Sequence, residues 1–127
     1  MSTFKTYQEI EAWQKARELT NRIYSLTKQN EFHKDYALTD QLRRACISIM
    51  SNIAEGFERD RSREFVQFSL YAKGSTGEIS NQLIIALDQK YIDAHQYKEL
   101  SDLANEIGKM IGGIISYLQK EKHQDSR

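Results

Sequence analysis

The sequence predicts an all-α protein, an antiparallel up-down-up-down four-helix bundle, on three observations. Its 127 residues include no proline and only six glycines, so little interrupts a helical ladder. Apolar residues recur at threes and fours along most of the chain, which is the helical period. The stretches that break this rhythm, KQNEFHKDY, ERDRS and YIDAHQ, are short enough to set consecutive helices side by side. A three-helix core with a loose arm and a helix-swapped dimer are the alternative architectures. Residues 1–127 read as one domain, since neither a repeat nor a flexible linker divides them.

The first helix is expected over about residues 6–27, with Ile10, Trp13, Ala16, Leu19, Ile23 and Leu26 in phase. The second is expected over about 36–57, with Gly56 near its end, where glycine accepts the left-handed conformation of a helix C-terminus. ERDRS is the next turn, and Asp60 or Ser62 can cap the following helix through a side-chain oxygen. That third helix, about 63–90, carries Phe65, Phe68, Ala72, Ile79, Leu83 and Ala86 on one side. Asp93 is the expected N-cap of the fourth, about 94–120, whose stripe includes Leu100, Leu103, Ala104, Ile107, Ile111, Ile114 and Leu118. The polar tail KEKHQDSR is expected to fray.

Hydrophobic residues are 39% of the chain and charged ones 28%, an ordinary globular balance. A chain of this size buries roughly two-thirds of its unfolded surface, enough for its own core. The 18 basic and 18 acidic side chains cancel, which argues against a dedicated duplex-DNA binder and leaves a local basic patch open. One cysteine, Cys46, can form neither an internal disulfide nor a cysteine-rich zinc site. The N-terminal MSTFKTYQEIEAW lacks the apolar core of a signal peptide. IIAL and IGGII fall far short of the ~20 apolar residues of a spanning helix. A cytoplasmic protein with no membrane contact is therefore expected.

No catalytic constellation is visible. His33, His95 and His123 have no partner at metal-ligand spacing, and Cys46 lies in an apolar stripe with no histidine near it. A non-enzymatic protein without metal or cofactor is the expectation. The second helix is more apolar than one core requires. Leu42, Ala45, Cys46, Ile49 and Ile53 form one stripe, and Ile47, Met50, Ala54 and Phe57 widen it to roughly 200°, against the ~100° a single core needs. Either neighbouring helices wrap it, or Ile47, Met50, Ala54 and Phe57 meet another subunit; a homo-oligomer is the favoured reading.

The polar arc of this helix holds Arg44, Ser48, Ser51, Asn52 and Glu55. It is either a groove offering a guanidinium, a hydroxyl and a carboxylate, or a hydrogen-bonded layer between helices. Gly74 and Gly77, inside the third helix, cost on the order of 2 kcal/mol together. They predict close approach of another helix, from within the bundle or from a neighbour; Gly108, Gly112 and Gly113 invite the same argument. Arg59, Arg61 and Arg63 crowd one turn, and Arg43 and Arg44 lie toward the other end of the second helix. Phosphate contacts by these side chains would supply sequence-independent affinity for nucleic acid. Glu58, Asp60 and Glu64 oppose them locally, so the residues leave a solvated turn equally open.

The segments IEAWQKARELTNRIYSLT, LTDQLRRACISIMSNIAEG and EFVQFSLYAKGSTGEISNQL resemble successive segments of a bacterial family of four-helix bundle proteins. These are known from intervening sequences inserted in 23S ribosomal RNA genes. The resemblance spans roughly residues 8–118 and is most specific over Gln41–Ala45 and Ser51–Gly56, then over GSTGE. It implies an antiparallel bundle assembling as a ring-like homo-oligomer, with a pentamer as the expected state. It also makes Arg43, Arg44, Asn52, Glu55, Gly56, Gly74, Ser75 and Glu78 family-typical positions, none of them catalytic.

A related branch, the accessory variability determinants of diversity-generating retroelements, implies binding to a reverse transcriptase and nucleic acid. That branch is markedly basic and this chain is neutral. The family also often has proline after the first helix and within its counterpart of SIMSNIAEG, where this chain has Gln29-Asn30 and Met50, so a straighter second helix is expected. The combined expectation is a homo-oligomeric bundle that contacts structured, ribosomal RNA or a protein–RNA assembly through Arg43, Arg44, Arg59, Arg61 and Arg63. The alternative is a protein-interaction scaffold that binds no nucleic acid.

Overall fold

A computed structural model describes residues 4–125, with side chains to Glu121. The described residues form a helical bundle without strands: α1 (Glu11–Thr27), α2 (Asn30–Lys34), α3 (Tyr36–Glu58), α4 (Ser62–Asp88) and α5 (Ala94–Asp125). α1 packs on α3 and α5, α3 on α4, and α4 on α5. One contiguous core results, with Leu19, Ile23, Leu42, Ile49, Ile53, Ile79, Leu83, Ile107 and Ile111 at its centre. Among the described residues no helix is long and apolar enough to cross a membrane.

The boundaries differ from the expected ones for identifiable reasons. The first helix does not run from residue 6. A single 3-10 turn, Tyr7–Glu9, precedes it, and Ile10 is extended (φ −73°, ψ 122°). The break turns Ile10 into the core at 2% exposure and sets Tyr7 edge-on to Trp13, 5.4 Å between centroids. Glu9 closes the turn by accepting from the Thr6 backbone N–H at 3.0 Å, and such bonds to the Thr6 and Lys5 backbone hold its carboxyl below the usual range.

The connection KQNEFHKDY is not merely polar. Its short helix α2 buries Phe32, which stacks on Tyr91 at 4.9 Å. Tyr91 Oη donates to Asp35 Oδ2 at 3.0 Å, and Asp35 caps α3 by accepting from Leu38 N–H at 3.1 Å. That bond raises the Tyr91 phenol above its ordinary value. A group whose folded pKa is raised stabilises fully below its unfolded pKa, about 10 for tyrosine, and loses that contribution as pH climbs through the folded value. Tyr91→Phe is therefore expected to flatten the loss of stability above pH ~10, checked by denaturant unfolding on both sides of that pH.

Gly56 is not a left-handed terminus, since α3 continues to Glu58 and no glycine has positive φ. Its hydrogen is needed for packing instead: a Cβ there would lie 2.8 Å from Phe65 Cδ1 and 3.0 Å from Phe68 Cβ. Overpacking typically costs about 1–3 kcal/mol, against the ~1 kcal/mol of helix propensity that alanine recovers. Gly56→Ala should thus lower stability by up to about 2 kcal/mol. Gly113→Ala, where a Cβ meets nothing within 4 Å, should raise it by up to ~1 kcal/mol. Opposite shifts of the unfolding midpoint check the pair.

Neither Asp60 nor Ser62 caps α4. Asp60 takes the left-handed conformation (φ 57°), and Arg61 is the N-cap without a side-chain bond. α4 stops at Asp88, two residues early, and Lys90 reverses the chain at φ 65°. Asp93 caps α5 as expected, accepting from Gln96 N–H at 2.8 Å while the Gln96 side chain accepts from Asp93 N–H at 2.9 Å. α5 continues to Asp125, through most of the segment expected to fray. The His123 side chain lies outside the described residues.

Candidate nucleic-acid interface

The five arginines do not form one patch. Arg43 and Arg44 lie near the N-terminal part of α3 and Arg59 just beyond its C-terminus, about 24 Å apart along the helix. Arg43 is half-buried: its Nε donates to Thr27 Oγ1 at 3.0 Å and its guanidinium sits 4.5 Å from the Tyr24 ring centroid. It ties α3 to α1. Arg44 is exposed and pairs with Asp40 at 2.8 Å, one turn back.

Arg59 pairs with Glu55 at 2.8 Å and lies over the Phe68 ring at 5.3 Å. Glu55 holds the Arg59 guanidinium above its ordinary pKa. Arg61 and Arg63 are exposed and have no ion-pair partner among the described residues. A cleft of about 590 Å³ opens beside them, lined by Phe57, Phe65 and Leu118 with Arg61 and Lys5. Glu58, Asp60 and Glu121 share its walls, so its charge does not favour a polyanion.

Part of the polar arc of α3 is a layer between helices: Ser48 and Asn52 join Ser75 of α4, while Arg44, Ser51 and Glu55 are exposed. Arg44 pairs one helical turn back with Asp40 and Glu55 one helical turn on with Arg59, and Ser48 joins neither. Asn52 Nδ2 donates to Ser48 O at 2.8 Å and to Ser48 Oγ at 2.9 Å, and Ser75 Oγ on α4 donates to Ser48 Oγ at 2.9 Å. Ser75 is buried at 4% exposure, so this network sets the α3–α4 register from inside. Glu78 and Gly74 are exposed on α4.

The second apolar stripe of α3 is largely covered within the chain. Met50, Ala54 and Phe57 are half-buried; Met50 Sδ accepts from Thr20 Oγ1 of α1 at 3.4 Å, and Phe57 stands edge-on to Phe65 at 6.3 Å. Of the four expected interface residues, only Ile47 is exposed, at 48%. Further exposed apolar side chains lie on α4 as two pairs, Leu70 with Tyr71 and Ile84 with Ile85, about 21 Å apart along the helix. Sequence reasoning tracked the inward stripe of α4 and missed these. For Leu70 and Ile84 the signal was present in their spacing, each about seven residues from Gly77.

Cys46 is fully buried, and desolvation pushes its thiol up to about 12, which leaves it almost wholly protonated and unreactive at neutral pH. Among the described residues no three His, Cys, Asp or Glu side chains are placed to hold a metal ion.

The model of the 23S rRNA-intervening sequence protein family matches residues 8–113. The chain belongs to that family. Its fold is similar to the crystal structure of a protein of unknown function from the S23 ribosomal protein family of Bacteroides thetaiotaomicron. The TM-score is 0.76 at 27% identity, over 82% of this chain and 97% of the other. No curated protein matches. Within the matched residues, Asn52 and Gly56 serve packing and Glu55 holds Arg59.

Proposed function

We propose that this family member is a non-enzymatic, cytoplasmic, homo-oligomeric bundle that contacts structured, ribosomal RNA. Its helices run up-down-up-down in antiparallel order and its chains assemble as a ring, for which a pentamer is the expected state. The antiparallel order is supported by contacts that descend on one helix as they ascend on the next. Residues 20 and 27 meet 50 and 43, residues 48 and 56 meet 75 and 65, and residues 73 and 76 meet 112 and 108.

The observation that carries the RNA reading is the α3–α4 turn, where Arg61 and Arg63 stand exposed without ion pairing among the described residues. Arg59 beside them is held by Glu55, and Arg43 and Arg44 by Thr27 and Asp40, so these three contribute less. A ring repeats the turn once per chain, and repeated weak contacts gain by avidity.

The test is a titration of the purified oligomer with a ribosomal RNA helix and a random-sequence control across salt concentration. Binding that weakens steeply with salt and favours the ribosomal helix supports the reading. No binding at low salt would move the protein to the second reading, a scaffold that binds a partner protein and no nucleic acid. The zero net charge favours that second reading.

A further inference from the structure

The outward face of α4 follows an alternating spacing of four and three residues from Arg63 to Asp88, and every position in that series is exposed. This is the spacing by which one helix lies along another. Leu70 and Ile84 remain 47% and 46% exposed. A Cβ on Gly74 or Gly77 would meet nothing within 4 Å. Each glycine costs the helix about 1 kcal/mol relative to alanine, and no packing among the described residues explains it. A second helix brought close at that point would.

The face is complementary to itself. Leu70 and Ile84 flank Gly77 at equal distance along the sequence. If a second α4 is turned end for end about Gly77, its Ile84 lies opposite Leu70, and glycine faces glycine where the backbones must come closest. Arg63 and Asp88 stand at opposite ends of the face, both exposed and neither ion-paired among the described residues. The same rotation sets Arg63 of one copy within about 4.5 Å, along the axis, of Asp88 in the other, a step an arginine side chain spans.

We propose that α4 is a two-fold self-association surface, on which the outward face of one chain packs antiparallel against the same face of a second copy with Gly77 on the axis. This goes beyond the proposed function and does not rest on RNA binding. A ring joins unlike faces and this pairing joins like ones, so either can hold without the other. A guanidinium has five donors, so Arg63 in a pair with one carboxylate keeps others for phosphate.

Gly77→Cys tests the pairing, because a residue on a two-fold axis meets its own copy. The introduced thiols would lie at a Cα separation suited to a disulfide, about 4.4–6.8 Å, and the native thiol, buried Cys46, stays silent. Mild oxidation of the full chain is expected to convert most of it to a dimer linked through position 77. Adding Leu70→Glu and Ile84→Glu should abolish the link while circular dichroism stays helical, since both side chains are exposed. Gly113→Cys, equally open on α5, should remain unlinked. Thiols at position 77 that stay free under oxidation would overturn the proposal, whatever mass the assembly has. So would equal linking at positions 77 and 113, which marks random collision.

Discussion

Replacing Phe32 by alanine is expected to lower the free energy of unfolding by about 3–5 kcal/mol, the range for truncating a buried aromatic residue. Phe32 is 3% exposed and its ring stacks on Tyr91, which joins the α4–α5 connection to the α1–α3 connection. Its carbonyl also accepts from Thr39 Oγ1 at 3.0 Å, a bond the substitution leaves in place. Without the ring, Tyr91 loses its support and its bond to Asp35 weakens. Asp35 is the α3 cap, and caps are worth about 1 kcal/mol. Urea unfolding followed by circular dichroism measures the shift. A loss under ~1 kcal/mol, the scale of a surface substitution, would mean that this end of the bundle collapses around the cavity and that the Phe32–Tyr91–Asp35 chain is not a cornerstone.

The second large effect concerns binding. Changing Arg59, Arg61 and Arg63 together to alanine is expected to weaken affinity for RNA by on the order of a hundredfold near physiological salt, and to reduce the slope of log K against log salt by about two to three. Arg61 and Arg63 should carry most of this, because Arg59 already faces Glu55. Arg61→Ala with Arg63→Ala therefore should reproduce most of the loss, and Arg59→Ala alone little of it. RNA affinity that survives the triple change with its salt slope intact removes the turn from the interface. Changing Arg43 is a poor substitute test. Its bond to Thr27 and its contact with Tyr24 couple it to the α1–α3 packing, so lost binding and lost structure would be confounded.

The helices were legible because their signal is local. Ala16, Leu19 and Ile23, or Ile79, Leu83 and Ala86, recur at the helical period and are buried together. The Asp93 cap was legible for the same reason, since an acceptor and the amide it caps lie three residues apart. Phe32 was not, because a single apolar residue among EFHKD has no period to declare it; only the docking of Tyr91, far along the chain, makes it core. Gly56 was read as a helix terminus from its position, whereas its role depends on where Phe65 and Phe68 fall across the α3–α4 contact.

The candidate site divides in the same way. The sequence by itself determined a helical chain, a crowded arginine turn and an excess of apolar surface beyond one core, each from residue type and spacing over a short stretch. It showed the family through segments spread over several helices. Only the tertiary structure decided where that excess goes, because coverage depends on which helix lies beside which. α1 closes over Met50, and the α4 ring of Phe65 meets Phe57, while none of the described residues closes over Leu70 and Ile84. The same holds for charge: a sequence counts five arginines, but the fold turns Arg43 inward to Thr27 and leaves Arg61 and Arg63 facing water.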